Sequence, residues 1–289
     1  MMLNNYIRLR RRLEAIMKIQ LSGFEMYYEI TGPERAPWLI LIHGLAGSTK
    51  CWKNQTEEFS KHFRVLNLDM VGHGNTGCLA APRYSGELVA NHLRILMDEL
   101  CIDRAHVLGL SLGTIVQQYF CEMFPERILS SVYASPVTKF SLVSYIFNKF
   151  SDRVFLKIFP KNLYLKLMGH LMMPGKIHEK SRKFFTQETL KMSDAEFKKW
   201  WKLVMEGNHF DFLNNSEIPA LFIVGEKDFC FYKDSLLLKT KYIKDDLLVI
   251  KDAGHVTIFQ KPEEFNKAVI DFITDVEMQI EQDDLIMAG

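Results

Sequence analysis

Ser111 carries the first chemical signal in this chain. It stands in Gly109-Leu110-Ser111-Leu112-Gly113, with a glycine two residues away on each side. An alcohol is a weak nucleophile at neutral pH until something activates it. A glycine-flanked serine at a sharp strand-to-helix turn has an exposed hydroxyl, and the first N–H groups of the following helix lie beside it. That arrangement suits attack on a carbonyl carbon, with the N–H groups receiving the oxyanion. Ala105 to Leu108 reads as a short buried strand and Thr114 to Phe120 as a helix, so the turn falls where this chemistry needs it.

An activated serine also needs a base, and the base needs a group to orient it. Asp228 lies just past an apolar run at Ala220 to Val224, and His255 just past another at Leu247 to Ile250. If both runs are parallel strands, their C-terminal ends share one edge of a sheet with the turn at Ser111. Glu226, two positions before Asp228, is a rival orienting carboxylate. His43-Gly44-Leu45-Ala46-Gly47-Ser48 follows a fourth apolar run, Trp38 to Ile42. The backbone N–H groups of Leu45 and Leu112 are the expected oxyanion donors.

The elements that must hold these residues alternate along the chain. Lys18 to Leu21 and Met26 to Ile30 read as an antiparallel hairpin around Ser22-Gly23, and Arg64 to Leu68 and Ile128 to Ala134 as further strands. Helices are expected over Cys51 to Ser60, Glu87 to Leu100, Tyr232 to Lys241 and Pro262 to Glu277. Such alternation predicts a mostly parallel sheet with helices on both faces. The rhythm breaks after Pro136. Tyr145, Phe147, Phe150, Phe155, Phe159, Leu163, Leu167 and Leu171 recur at helical intervals, and Phe184, Phe185, Trp200, Trp201 and Phe210 follow. This reads as an all-helical insertion. The organisation expected is an extension over 1–17, a core from 18–136 and 216–280, the insertion over 137–215 and a mobile acidic tail over 281–289. Residues 1–16 read as a frayed helix or as an extension ahead of Met17.

Composition is that of an ordinary globular protein, with 48% hydrophobic and 25% charged residues in 289. A net charge of +1 supplies no general attraction to nucleic acid. No apolar run approaches the roughly 20 residues of a membrane span. Arg8, Arg10, Arg11 and Arg12 have no apolar stretch behind them, so no secretory signal is expected. Cys51, Cys78, Cys101, Cys121 and Cys230 are scattered, which fits reduced thiols in a cytoplasmic protein and no metal site. Lys157, Lys161, Lys166, Lys180, Arg182, Lys183, Lys198, Lys199 and Lys202 outnumber the acids of the insertion and read as a solvated face.

Two glycine patterns invite a phosphate-binding reading. Gly44 to Lys50 lacks the glycine a P-loop carries before its lysine. Gly72-His73-Gly74-Asn75-Thr76-Gly77 is a literal G-x-G-x-x-G, but Pro82 bars a helix where a dinucleotide fold opens one. No cofactor is expected.

Taken together, His43-Gly44 with Trp52, Asp69-x-x-Gly72-His73-Gly74-x-Thr76, Gly109-x-Ser111-x-Gly113, Gly225-x-x-Asp228 and Gly254-His255 resemble the α/β-hydrolase superfamily over roughly Lys18 to Glu277. The chain departs from many relatives at Val71 or Met70, depending on alignment, where they carry Arg, and at Thr114, where they carry Gly. The resemblance implies an eight-stranded sheet with a helical lid inserted after strand six. It implies Ser111 as nucleophile, His255 as general base and acid, Asp228 as orienting carboxylate, and Leu45 and Leu112 as the oxyanion hole. The elbow is similar to those of small carboxylesterases and enol-lactone hydrolases. Haloalkane dehalogenases and epoxide hydrolases carry aspartate there, so Ser111 argues against both. The expected reaction is hydrolysis of an ester, thioester or lactone with a small to medium apolar acyl group. C–C hydrolysis or a lyase reaction on the same triad, or a ligand-binding signalling protein with slow turnover, are the alternatives. The sequence leaves the oligomeric state open.

Overall fold

The computed structural model describes residues 14–21, 23–137, 161–206, 216–228, 231–233, 235–236 and 247–288. Eight strands form one sheet: β1 (Glu14–Leu21), β2 (Phe24–Thr31), β3 (Trp38–Ile42), β4 (Arg64–Leu68), β5 (Ala105–Leu110), β6 (Ile128–Ala134), β7 (Ala220–Gly225) and β8 (Leu247–Ile250). Their spatial order is β1-β2-β4-β3-β5-β6-β7-β8. β1 and β2 run antiparallel to their neighbours, and every pairing from β4 to β8 is parallel. β3 lies between β4 and β5, so the strand order reverses on either side of it. Crevices at such a reversal, at the carboxyl ends of the strands, are where α/β sheets bind ligands. The loops after β3 and β5 both open there.

The central strands are apolar on both sides because both faces are covered. In β3, Ile40 and Ile42 join a core that includes Val89, Leu93 and Leu96 of α2 (Gly86–Glu99) and Ile115 and Val116 of α3 (Leu112–Met123). Leu39 and Leu41 point the other way, into a core with Phe59 of α1 (Lys53–Phe59) and Phe265, Val269 and Ile273 of the C-terminal helix. The side-chain period of two in a strand divides the cores this way. Ser85 caps α2 by accepting the Leu88 N–H at 3.3 Å.

Between β6 and β7 the chain inserts α4 (Lys161–Met172), α5 (Glu179–Lys191) and α6 (Asp194–Glu206). Tyr145, Phe147, Phe150, Phe155, Phe159, Lys157 and Phe210 lie outside the described residues. The expected apolar stripe has the right spacing but the wrong phase. Leu163 and Leu167 are 50% and 46% exposed, while Leu165 is buried. α5 packs on α4 beside Gly169, where Arg182 and Phe185 carbons lie 3.8 Å from the position of a Cβ, an ordinary contact distance. Docking against α5 and the core, not periodicity, chose the inward face. Nor are all the basic residues solvated. Lys199 pairs with the buried Glu196 at 2.6 Å and donates to Leu79 O at 3.0 Å.

Both chain ends depart from expectation. β1 begins at Glu14 rather than Lys18, because its ladder continues to the end of β2, pairing Glu14 with Thr31. After the short α7 (Thr257–Gln260), α8 runs from Pro262 to Ala288, so residues 281–288 of the stretch expected as a mobile tail are helical, and Gly289 lies outside the described residues. No glycine or proline interrupts 263–288, and Gln279 bonds Asp283 one turn on at 2.9 Å. α8 is also tied to the sheet through buried His106, whose ring meets Glu277 at 2.9 Å and Ser130 at 2.8 Å. Of the helix expected over 232–241, residues 237–241 and 234 lie outside the described residues; Tyr232, Lys233, Ser235 and Leu236 are helical.

Candidate active site

Ser111 has φ 51° and ψ −116°, a backbone conformation L-residues rarely adopt and one that costs on the order of 1–3 kcal/mol. Its neighbours hold it there. The Ser111 N–H donates to Ala134 O at 3.0 Å, and the Ser111 carbonyl accepts both the N–H and the hydroxyl of Thr114, at 2.8 and 2.6 Å. The flanking glycines are required by contact. A Cβ on Gly113 would stand 2.2 Å from Ile42 O, and one on Gly109 2.8 Å from the Gly113 carbonyl.

The three remote side chains meet at the sheet edge. His255 Nε2 lies 2.9 Å from Ser111 Oγ, and His255 Nδ1 lies 2.8 Å from Asp228 Oδ2. Asp228 and His255 are both buried. Asp228 Oδ1 accepts the Phe231 N–H at 3.2 Å. Glu226, the rival carboxylate, is exposed and accepts the Asp252 N–H at 3.1 Å. The acid and base loops touch backbone to backbone: a Cβ on Gly225 would stand 2.2 Å from Gly254 O.

The loop after β3 closes the opposite side. Gly47 N–H returns to Gly44 O at 3.0 Å, and a Cβ on Gly44 would lie 3.4 Å from Ser111 Cβ. Among the described residues, no acceptor takes the N–H of Leu45 or of Leu112. Two histidines set this loop. His43 Nε2 accepts the Met70 N–H at 3.0 Å, so its proton is on Nδ1, which donates to Gly44 O at 2.8 Å. His73 Nε2 accepts the Ala46 N–H at 3.0 Å, and its Nδ1 donates to Val71 O at 3.2 Å. The rings pack at 4.7 Å. Burial lowers the pKa of His43 to about 4 and that of His73 well below its ordinary value, so both act as neutral struts. Trp200 of the insertion donates to the same Val71 carbonyl at 3.0 Å and packs on His73 at 5.0 Å.

The G-x-G-x-x-G stretch is therefore scaffolding for this loop. Asp69 accepts the Thr49 N–H at 2.6 Å and the Asn75 N–H at 2.7 Å, and Thr76 ties the turn back to Asp69 O and to the Tyr27 N–H. Gly72 and Gly74 have positive φ. A Cβ on Gly74 would meet Asp69 Oδ2 at 2.0 Å, where a phosphate-binding loop needs open space.

Residues 37–262 match the α/β hydrolase fold family. The chain belongs to that family. This α/β hydrolase is 26% identical over 249 residues to an uncharacterized carboxylesterase of Bacillus subtilis, covering 84% of this chain and 81% of the relative. It is also similar to a solved hydrolase from Pseudomonas aeruginosa, with TM-score 0.81, 23% identity, and 89% and 98% of the two chains covered. The enol-lactonase from Burkholderia xenovorans follows at TM-score 0.79 and 22% identity, covering 89% of this chain and all of that one (100%).

Above Ser111 the hydrolase has a partly open cavity of about 140 Å3. Leu45, Val137, Leu165, Phe185, Phe197 and Trp201 are among its walls, and no Asp, Glu, Lys or Arg among the described residues lines it. Cys51 also faces it, with burial pushing its thiol up to about 12. Among the described residues no cluster of His, Cys, Asp and Glu could hold a metal ion, and no helix is long and apolar enough to cross a membrane. Cys230 lies outside the described residues.

The strut roles of His43 and His73 were not read from the sequence. A histidine beside glycine at a strand end is their one signal, and it does not say which N–H each would hold. Met172 O, which accepts the His255 N–H at 2.8 Å, left no signal, because a backbone carbonyl is common to every residue type.

Proposed function

We propose that this hydrolase cleaves an ester, thioester or lactone of a small to medium, uncharged, apolar acyl group, with Ser111 as nucleophile, His255 as general base and acid, and Asp228 as the orienting carboxylate. The observation that carries this reading is the unbroken chain of hydrogen bonds from Asp228 through His255 to Ser111. His255 Nε2 takes the Ser111 proton as the oxygen attacks the carbonyl carbon. The tetrahedral oxyanion lies against the N–H groups of Leu45 and Leu112. His255 then protonates the departing alcohol or thiol, leaving an acyl group on Ser111. Water, deprotonated by His255, adds to that acyl group, and its collapse releases the acid and free Ser111. α4, α5 and α6 serve as the lid, with Leu165, Phe185 and Trp201 excluding water from the acyl group.

The walls support the choice of acyl group. Desolvating a charge against apolar side chains without a partner is costly. A panel of p-nitrophenyl esters from acetyl to decanoyl, with the hemisuccinate as the charged member and Ser111→Ala as control, tests the proposal. Ser111-dependent turnover that peaks at a neutral short or medium chain is expected. Equal turnover by Ser111→Ala sinks the triad. A preference for the hemisuccinate over the neutral ester of similar length sinks the acyl assignment. Labelling of Ser111 by a fluorophosphonate with no turnover of any ester points to C–C chemistry or a receptor instead.

A further inference from the structure

His255 reaches Ser111 only because its loop is held, and one of the holds comes from the insertion. Three backbone groups of residues 253–255 are bonded. Ala253 O accepts the Lys227 N–H at 2.7 Å, Gly254 N–H donates to Gln260 Oε1 at 2.8 Å, and His255 N–H donates to Met172 O at 2.8 Å. The first two partners belong to the sheet loops and α7. The third is the last residue of α4, where helix carbonyls have no partner within the helix.

The chain just past Met172 is gripped from the other side. Arg182 Nη1, on α5, donates to Met173 O and to Gly175 O, at 2.6 Å each. Met173 is fully buried. Gly254 packs against the same bend: a Cβ there would lie 2.5 Å from Met172 O and 3.0 Å from Pro174 Cδ. The bend at 172–175 is thus clamped between Arg182 and the loop that carries the imidazole.

We infer that Arg182 is a positioning residue for His255, acting through the 172–175 bend, so that the cover of the cavity and the alignment of the base are one mechanical unit. This rests on the triad reading proposed above. Movement of the α4 end away from the core takes with it the partner of the His255 N–H. Among the described residues the 253–255 backbone is then held by two bonds instead of three, with Asp228 still on Nδ1 of the imidazole. Closed insertion and aligned base occur together.

The test uses the full chain with Arg182→Ala, Arg182→Lys and Gly254→Ala beside wild type and Ser111→Ala. The readouts are the labelling rate with a small fluorophosphonate, kcat and KM for a short p-nitrophenyl ester, and Tm. A base displaced by an ångström or less lowers rates by about 10- to 100-fold. That loss is expected in labelling and in kcat for Arg182→Ala and Gly254→Ala, with KM nearly unchanged, and Arg182→Lys recovers most of it by donating to the same carbonyls. Gly254→Ala pushes on the bend from the core side and leaves Arg182 intact, so it reads the coupling even if Arg182→Ala fails to fold. Labelling of either folded variant at the wild-type rate overturns the coupling, as does a loss confined to KM, which a mere cavity wall produces. Wild-type labelling of Ser111→Ala overturns the triad itself, a separate failure.

Discussion

Replacing Asp228 with Asn isolates what the carboxylate does. The change keeps the shape and removes the charge. Asp228 Oδ2 accepts from His255 Nδ1 at 2.8 Å, while Oδ1 accepts the Phe231 N–H at 3.2 Å. An amide has one acceptor oxygen and one donor NH2. If its oxygen stays with Phe231, the NH2 faces Nδ1 and drives the imidazole proton to Nε2. That nitrogen then donates to Ser111 and cannot take its proton. A wrong tautomer of this kind costs about 10,000-fold in kcat where the same triad has been altered this way. If the amide flips, the tautomer survives, but the NH2 opposes the buried Phe231 N–H and the bond that Oδ1 accepts from it is lost. That costs about 1–3 kcal/mol, and if the flipped form must be populated for turnover the rate falls by roughly tenfold to a hundredfold. The expected loss in kcat for a p-nitrophenyl ester therefore lies between those bounds, with KM changed little and Tm within a few degrees of wild type. A folded Asp228→Asn that retains more than a tenth of the activity refutes the orienting role.

Two further outcomes follow from the same geometry. Gly113→Ala drives a Cβ to 2.2 Å from the Ile42 carbonyl, a backbone atom at the carboxyl end of the central strand β3. Overpacking of this kind costs about 1–3 kcal/mol or more, so the urea midpoint falls; an unchanged midpoint contradicts the close approach. His43, lowered from 6.5 to about 4, stays neutral in the folded protein while the unfolded chain takes up a proton near 6.5. Its contribution is fully present above pH 6.5 and is lost as pH falls toward 4, about 3 kcal/mol for the whole shift. Its ring signal in NMR is expected to stay flat from pH 8 to 5, and a midpoint near 6.5 removes the strut argument.

The bounds of several strands and the elbow are legible in the sequence because local rules produce them. Trp38 to Ile42, Arg64 to Leu68, Ile128 to Ala134 and Leu247 to Ile250 were marked by apolar runs ending in turn residues, and the strands have those bounds. Gly109 and Gly113 were expected where strand and helix crowd, and the contacts that exclude a Cβ are there. The phase of α4 was not legible. Leu163, Leu165 and Leu167 are chemically alike, and the sequence contains no mark of which one faces the cavity.

Spacing of apolar runs and turn glycines is a property of neighbours along the chain, so the sequence alone specified the alternation of strands and helices, the turn at Ser111, and the candidacy of Asp228 and His255. Which long-range pairs share a hydrogen bond is a property of how layers dock. Only the folded chain could make His73 the partner of Ala46 N–H, turn Glu226 out to solvent beside a buried Asp228, and bring the end of α4 onto the backbone of His255. Those contacts join residues dozens of positions apart, and their energies depend on burial that no local pattern encodes.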